Sequence, residues 1–268
     1  MELVSLILLI ALFLCIGSFS SVVIYRLILI EFSNTNINLF KPRSHCPKCK
    51  KNISLIHLIP VVGYLLQQGK CINCKRKISY KYPLHELIHV AAGLFIYFYF
   101  GINFTSFLIY ILFSFFYILF ECDLQKLFLP FYLNCLIAII GFSTAFNGNI
   151  FHIESLNVFN ITQFELSIYG FVVGYFILWL INIIYKFFKK TDGIGGGDFL
   201  LLGGIGSLVG PFILPPIIFI GSISTLILGL IYKQNLNNEL PLGSGLIIGL
   251  IIYLLARFFE LSLFGLVL

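Results

Sequence analysis

Charge is scarce in this chain. Only 10% of its 268 residues are Asp, Glu, Lys or Arg, against 59% that are hydrophobic. So few charges cannot cover a soluble globule, so a water-soluble domain is excluded and a polytopic membrane protein is expected. No basic stretch precedes the first apolar run, which argues against a cleavable signal peptide. That run is long enough to span, and it reads as a retained anchor. Residues 147–165 hold no Lys or Arg, as an outer loop should. No dinucleotide-type glycine fingerprint follows a strand, and no internal repeat is visible. The net charge of +6 does not imply nucleic acid, because ten of the 17 cations fall between Lys41 and Lys81 and the rest sit mostly at helix ends. That is the positive-inside pattern, and it places the 41–81 loop in the cytoplasm.

What is present is a series of apolar runs of membrane-crossing length. The expected fold is all-α, with eight spans near 3–30, 84–101, 103–121, 127–146, 171–188, 199–212, 214–232 and from about 243 onward. Gly101, Ile102 and Asn103 leave room only for a tight outer turn. Pro211, Pro215 and Pro216 interrupt a continuous helix, and a second outer turn is expected there. Three domains follow: a first transmembrane helix (1–30), a cytoplasmic loop domain rich in Lys and Cys (31–83), and a transmembrane domain (84–268).

Two acids stand at the mouths of apolar runs, where a carboxylate is costly and marks a functional candidate. Asp198 ends the string Gly-Ile-Gly-Gly-Gly-Asp that begins at Gly193. Gly195, Gly196 and Gly197 remove side-chain bulk and would let a substrate backbone approach. The plain alternative is a glycine-rich hinge with a solvated Asp. Asp123 ends another apolar run, just before Gln125 and Lys126. Counting crossings from a cytoplasmic 41–81 loop brings both acids to the cytoplasmic face, the arrangement an aspartic protease needs. Asp192 and Glu121 are neighbouring acids that read as solvated. Glu86 reads as a helix-start acid serving the N-terminal dipole.

Cys46, Cys49, Cys71 and Cys74 form two CxxC knuckles 21 residues apart. Four thiolates at this spacing suit one closed, tetrahedral, structural zinc site. Lys48, Lys50, Lys75 and Lys77 favour the thiolates. The alternative, two disulfides, fits poorly with a reducing cytoplasm. His45 and His57 read as surface or packing residues. Cys15, Cys122 and Cys135 read as small packing residues, Cys122 drawing notice beside Asp123.

Taken in order, these landmarks resemble the type IV prepilin peptidases, leader peptidases of the type IV pilin and type II secretion systems. The likeness runs through Gly17-Ser18-Phe19 with Val22 to Leu27, the double CxxC loop with Gly69-Lys70, and the stretch Ile78 to Leu87. It continues through Asp123 with Leu129-Pro130, Gly195 to Asp198, and Pro241-Leu242-Gly243-Ser244-Gly245. The resemblance implies an aspartic endopeptidase that cleaves prepilin or pseudopilin leaders at the cytoplasmic face of a bacterial inner membrane, with Asp123 and Asp198 as the catalytic pair. It also implies N-methylation of the new terminus from S-adenosylmethionine, an activity tied to the cysteine-loop region. Glu86 is then a rival candidate to meet the new amine. Three positions depart from the family: Phe131 and Leu200 replace its usual Asp and Lys, and Pro-Leu-Gly-Ser replaces Pro-Phe-Gly-Pro. Two other classes are weighed against this reading, a zinc-stabilised transporter and a non-catalytic pilus-assembly scaffold.

Overall fold

The computed structural model describes residues 2–33, 38–146, 161–232 and 239–259, and among these every regular element is a helix and none is a strand. In chain order the helices are α1 (Glu2–Phe32), α2 (Val62–Leu66), α3 (Lys81–Phe100), α4 (Phe104–Lys126) and α5 (Phe131–Phe146). They continue with α6 (Gln163–Lys189), α7 (Gly196–Val209), α8 (Leu214–Tyr232) and α9 (Leu242–Phe258). Five segments are long and apolar enough to cross a membrane: α1, α3, α4, α6 and the stretch Pro211–Ile231. Three shorter apolar helices, α5, α7 and α9, accompany them. The chain is therefore all-helical and of multi-pass membrane character. It divides into two compact units, Met1–Ile118 and Leu119–Leu268, with the boundary inside α4.

In the first unit α1 packs along α3, and two buried charges tie the cysteine loop to that pair. Arg26 is 8% exposed. Its guanidinium donates to the carbonyls of Asn38 (3.1 Å), Leu39 (2.8 Å) and Pro42 (2.6 Å). A planar five-donor fork can serve three carbonyls at once, which an ammonium could not do in one plane. Glu86 accepts from the Val61 backbone N–H at 2.7 Å. Val61 is the centre of a γ-turn of the rare hand (φ 60, ψ −53), closed by Val62 N–H on the Pro60 carbonyl at 2.6 Å. Such a backbone is costly for a β-branched residue, and Glu86 helps to hold it. This corrects the dipole reading of Glu86, which lies beyond the first turn of α3 and braces the loop instead.

In the second unit α7 is the central helix, with α5, α6 and α9 against it. Leu201, Leu202, Ile205, Leu208 and Val209 are fully enclosed. The approach of α6 to α7 is close because two glycines face each other. A Cβ on Gly170 would collide with the Gly206 carbonyl oxygen, and one on Gly206 with that of Gly170. Ser167 uses the same closeness, its hydroxyl donating to the Ser207 carbonyl at 2.6 Å. Small residues that let backbones meet are how helices associate without a hydrophobic driving force in lipid.

Among the boundaries that differ from expectation, α4 runs to Lys126 rather than ending near 121. α6 begins at Gln163 rather than near 171, because Thr162 and Glu165 form a complete capping box. α5 begins at Phe131 rather than 127, since Leu127 takes a left-handed conformation (φ 51) that stops α4, and Pro130 then precedes the new helix. Pro215 and Pro216 sit within the first turn of α8, where missing N–H groups cost nothing. The turn itself is made by Gly210 (φ 81) and the short helix Pro211–Ile213. Of the expected outer loop 147–165, residues 147–160 lie outside the described residues, and 163–165 belong to α6.

Candidate active site and metal centre

The two cysteine knuckles are built alike. In each, the first Cys N–H donates to a carbonyl five residues on, and the first Cys carbonyl accepts from the N–H four residues on. These bonds are Cys46 to Lys51 (3.0 Å) with Lys50 to Cys46 (2.8 Å), and Cys71 to Arg76 (2.8 Å) with Lys75 to Cys71 (2.8 Å). Lys50 (φ 54) and Lys75 (φ 57) turn left-handed at matching positions, and the isolated bridges His45–Asn52 and Lys70–Lys77 close each knuckle. The four Sγ atoms lie within 4.8 Å of one another, with Cys46 to Cys74 at 3.7 Å. A tetrahedron of sulfurs about 2.3 Å from one ion has edges of about 3.8 Å, so the donor set fits a thiolate-bound metal.

Electrostatics agree with the geometry. Backbone N–H groups of Cys49 and Lys48 bring the Cys46 thiol down to about 6. Those of Cys74 and Asn73 lower Cys71. At Cys74 the Arg76 N–H pulls downward, but desolvation and the neighbouring thiols push it up to about 11. The leading thiol of each knuckle is thus readied as a ligand by its own loop. All seven cysteines are free thiols. His45 and His57 instead contact the Arg43 carbonyl and the Ser54 hydroxyl. Cys122 and Cys135 fit the packing reading, whereas Cys15 is exposed on α1.

The paired acids are assembled from distant segments. Asp123, 4% exposed, stands in the last turns of α4. Its Oδ2 accepts from the Ser244 N–H at 2.6 Å and the Ser244 hydroxyl at 2.7 Å, at the start of α9. Asp198 occupies the first turn of α7. It lies within electrostatic reach of Asp123. Leu129 is the wedge that joins the surrounding pieces. A Cβ on Gly197 would come 2.8 Å from the Leu129 Cβ, and one on Gly243 would come 2.8 Å from Leu129 Cδ1 and 3.3 Å from Asp123 Oδ2. Space around Gly196 is open, with no atom within 4 Å of where a Cβ would stand. Among the described residues, Asp198 Oδ1 and Asn134 Oδ1 are enclosed polar atoms without a hydrogen-bond partner. Such atoms are rare, and an acid among them at the mouth of an apolar helix is a candidate for chemistry.

The loop that delivers Asp198 is fastened by α6. Asn182 Oδ1 accepts from the N–H groups of Gly193 (2.8 Å) and Ile194 (3.0 Å), and its Nδ2 donates to Asp192 Oδ1 (3.1 Å). Lys186 Nζ completes the set on Asp192 Oδ2 at 2.9 Å. Asp192 is exposed, as expected, yet held. Lys186 and then Asn182 keep its carboxyl below the usual range. Glu121 accepts from Gln125 at 2.8 Å. Asn182, Ser244 and Asn134 are site residues that composition and spacing do not reveal. Only the position of Ser244 inside the Pro-Leu-Gly-Ser segment signals it. Of the departures, Phe131 is exposed at the first position of α5 and Leu200 is partly buried in α7.

Two family models match this chain: the bacterial peptidase A24 N-terminal domain over residues 11–100, and the type IV leader peptidase family over residues 110–230. A prepilin leader peptidase/N-methyltransferase of Vibrio cholerae is 33% identical over 257 residues, covering 94% of this chain and 97% of the relative. One of Neisseria gonorrhoeae is 31% identical over 259 residues, covering 87% and 84%. The Escherichia coli type 4 prepilin-like proteins leader peptide-processing enzyme is 31% identical over 259 residues, covering 91% and 92%. No solved structure matches. Matched by these family models and at least 31% identical to these relatives over most of its length, this chain belongs to the type IV leader peptidase family.

Proposed function

We propose that this chain is a membrane aspartic endopeptidase that removes the leader of type IV prepilins or pseudopilins and N-methylates the exposed terminus. One observation carries the peptidase reading: Leu129 lies against both Gly197, next to Asp198, and Gly243, where a Cβ would come 3.3 Å from Asp123 Oδ2, so the acids of α4 and α7 are gathered around one side chain beside an open glycine at 196. The ionised member of the pair takes a proton from water as the oxygen attacks the scissile carbonyl. The protonated member donates a hydrogen bond to the carbonyl oxygen as charge builds there. Collapse of the tetrahedral intermediate expels the amine, which leaves with a proton returned by the pair. Ser244 orients Asp123 through two donors, and Gly196 leaves room for an extended substrate backbone. Gly195 and Gly197 complete that approach loop, Gly197 receiving the Leu129 side chain.

The three shorter apolar helices complete a reading of eight spans, and the cationic 41–81 loop orients it with the cysteine loop and both acids on the cytoplasmic side of the inner membrane. Cys46, Cys49, Cys71 and Cys74 would hold a structural zinc; four thiolates leave no open position for catalysis. S-adenosylmethionine would supply the methyl group for the N-methylation proposed here. In the first unit the enclosed unpartnered atoms, His89 Nε2 and Tyr110 Oη, sit among packed rings and form no cradle for an adenosyl group.

The test is cleavage of a prepilin in membranes by wild type, Asp123→Asn and Asp198→Asn. Each near-isosteric variant accumulates normally and loses processing by at least about a hundredfold. Processing by both variants at the wild-type rate would overturn the paired-acid reading.

A further inference from the structure

Four of the six residues from 193 to 198 are glycine, the composition least able to hold a catalytic acid still. Something outside the loop must supply the order. α6 closes with Lys190 in a left-handed turn (φ 59). Three residues later the chain passes under Asn182, an 8% exposed side chain two turns back along that helix. Two consecutive N–H groups, at 193 and 194, converge on one Asn182 oxygen. Two donors fix which end of the amide faces the loop, because the flipped amide would set N–H against N–H. The other end of the amide then donates to Asp192, which Lys186 grips from the same helix. Beyond the pinned stretch the Asp198 N–H turns back onto the Gly195 carbonyl at 3.1 Å, and α7 starts. The loop therefore has a fixed limb at 192–194 and an open limb at Gly195 and Gly196.

We infer that Asn182 is a positioning residue for peptide cleavage: it anchors the glycine loop so that Asp198 meets Asp123 while Gly196 stays clear for substrate. The inference rests on the reading of Asp198 as catalytic. Asn182 touches neither acid of the pair in this arrangement and acts through the backbone. Its loss lets a glycine-rich loop wander, and an ångström-scale misplacement of a reacting group costs orders of magnitude in rate with little effect on binding remote from it. An Asn that merely stabilised the α6–α7 packing would change melting temperature and leave turnover per folded molecule intact.

The experiment uses the full-length protein in liposomes with a prepilin substrate, measuring kcat, KM and thermal stability. Asn182→Ala lowers kcat by about tenfold to a hundredfold and moves KM by no more than about twofold. Asn182→Asp has the same shape and still accepts both loop N–H groups, but it sets a carboxylate against Asp192 and lowers kcat similarly. Adding Asp192→Asn to it restores one donor and one acceptor between positions 182 and 192, and kcat returns to within about threefold of wild type. Wild-type kcat in Asn182→Ala or Asn182→Asp overturns the inference, as does a double variant that folds yet stays as slow as Asn182→Asp. Asp198→Asn runs alongside: if it still cleaves, the catalytic reading itself has failed, whatever the Asn182 series does.

Discussion

The two candidate sites hold their chemistry in opposite ways. In the cysteine loop each knuckle is a local device, with thiols readied by N–H groups two or three residues away and a turn closed within six. The paired acids depend on groups remote in sequence: Ser244 lies 121 positions from the Asp123 it braces, and Asn182 works from a different helix than Asp198. The comparison teaches that a four-thiol cluster can be carried by backbone turns, whereas the paired acids need helices assembled around a central one.

The sharpest way to break that contrast is to disable one site and read the other. Cys71→Ser with Cys74→Ser should remove the metal, measured by elemental analysis of the purified protein, and depress methyl transfer while prepilin cleavage persists. Asp198→Asn should do the reverse, abolishing cleavage at unchanged metal content. Ser244→Ala is a milder probe. It keeps the backbone donor to Asp123 and loses the hydroxyl, so kcat should fall by about tenfold to a hundredfold, in line with about 1.5–3 kcal/mol for a hydrogen bond to a charged group. Gly170→Ala probes assembly. Its methyl meets the Gly206 carbonyl and should destabilise the second unit by about 1–3 kcal/mol, read as a lower melting temperature, with metal content untouched.

The smallest effect belongs to Asp192. Its folded-state carboxyl is held below the usual range by Lys186 and Asn182, so the stabilisation is present above the unfolded pKa and is lost as pH falls through the depressed folded value. Both partners are more than half exposed, so the ion pair is screened. Asp192→Asn should shift the melting temperature by about a degree at neutral pH, and the difference should vanish in strongly acidic buffer or high salt.

Legibility in the sequence follows the same division. The CxxC pairs announce themselves by spacing, whereas the capping box at Thr162, equally local, went unread and left α6 expected near 171. Apolar runs and the cation asymmetry suffice for the all-helical membrane character. Asp123 and Asp198 stand out because a carboxylate beside an apolar run is anomalous. Asn182 and Ser244 do not, since an amide or hydroxyl in a membrane helix has many ordinary uses, and only three-dimensional proximity distinguishes theirs. Leu127 ends α4 in a left-handed conformation that no glycine advertises, and that hid the true start of α5. Glu86 was legible as an acid near a helix start, but its partner, a strained valine turn, was not.

The position of Ser244 bears on how the protein is made. Arg26, the two knuckles and the Val61 turn are all complete once the chain has been synthesised through Glu86, so the loop can fold and bring its four thiols together while the rest is still being translated. Asp123 gains its two donors only when α9 has been threaded into place. A nascent chain stalled before residue 244 therefore carries a finished four-thiol cluster and an unbraced Asp123, so the surroundings of the paired acids are completed last.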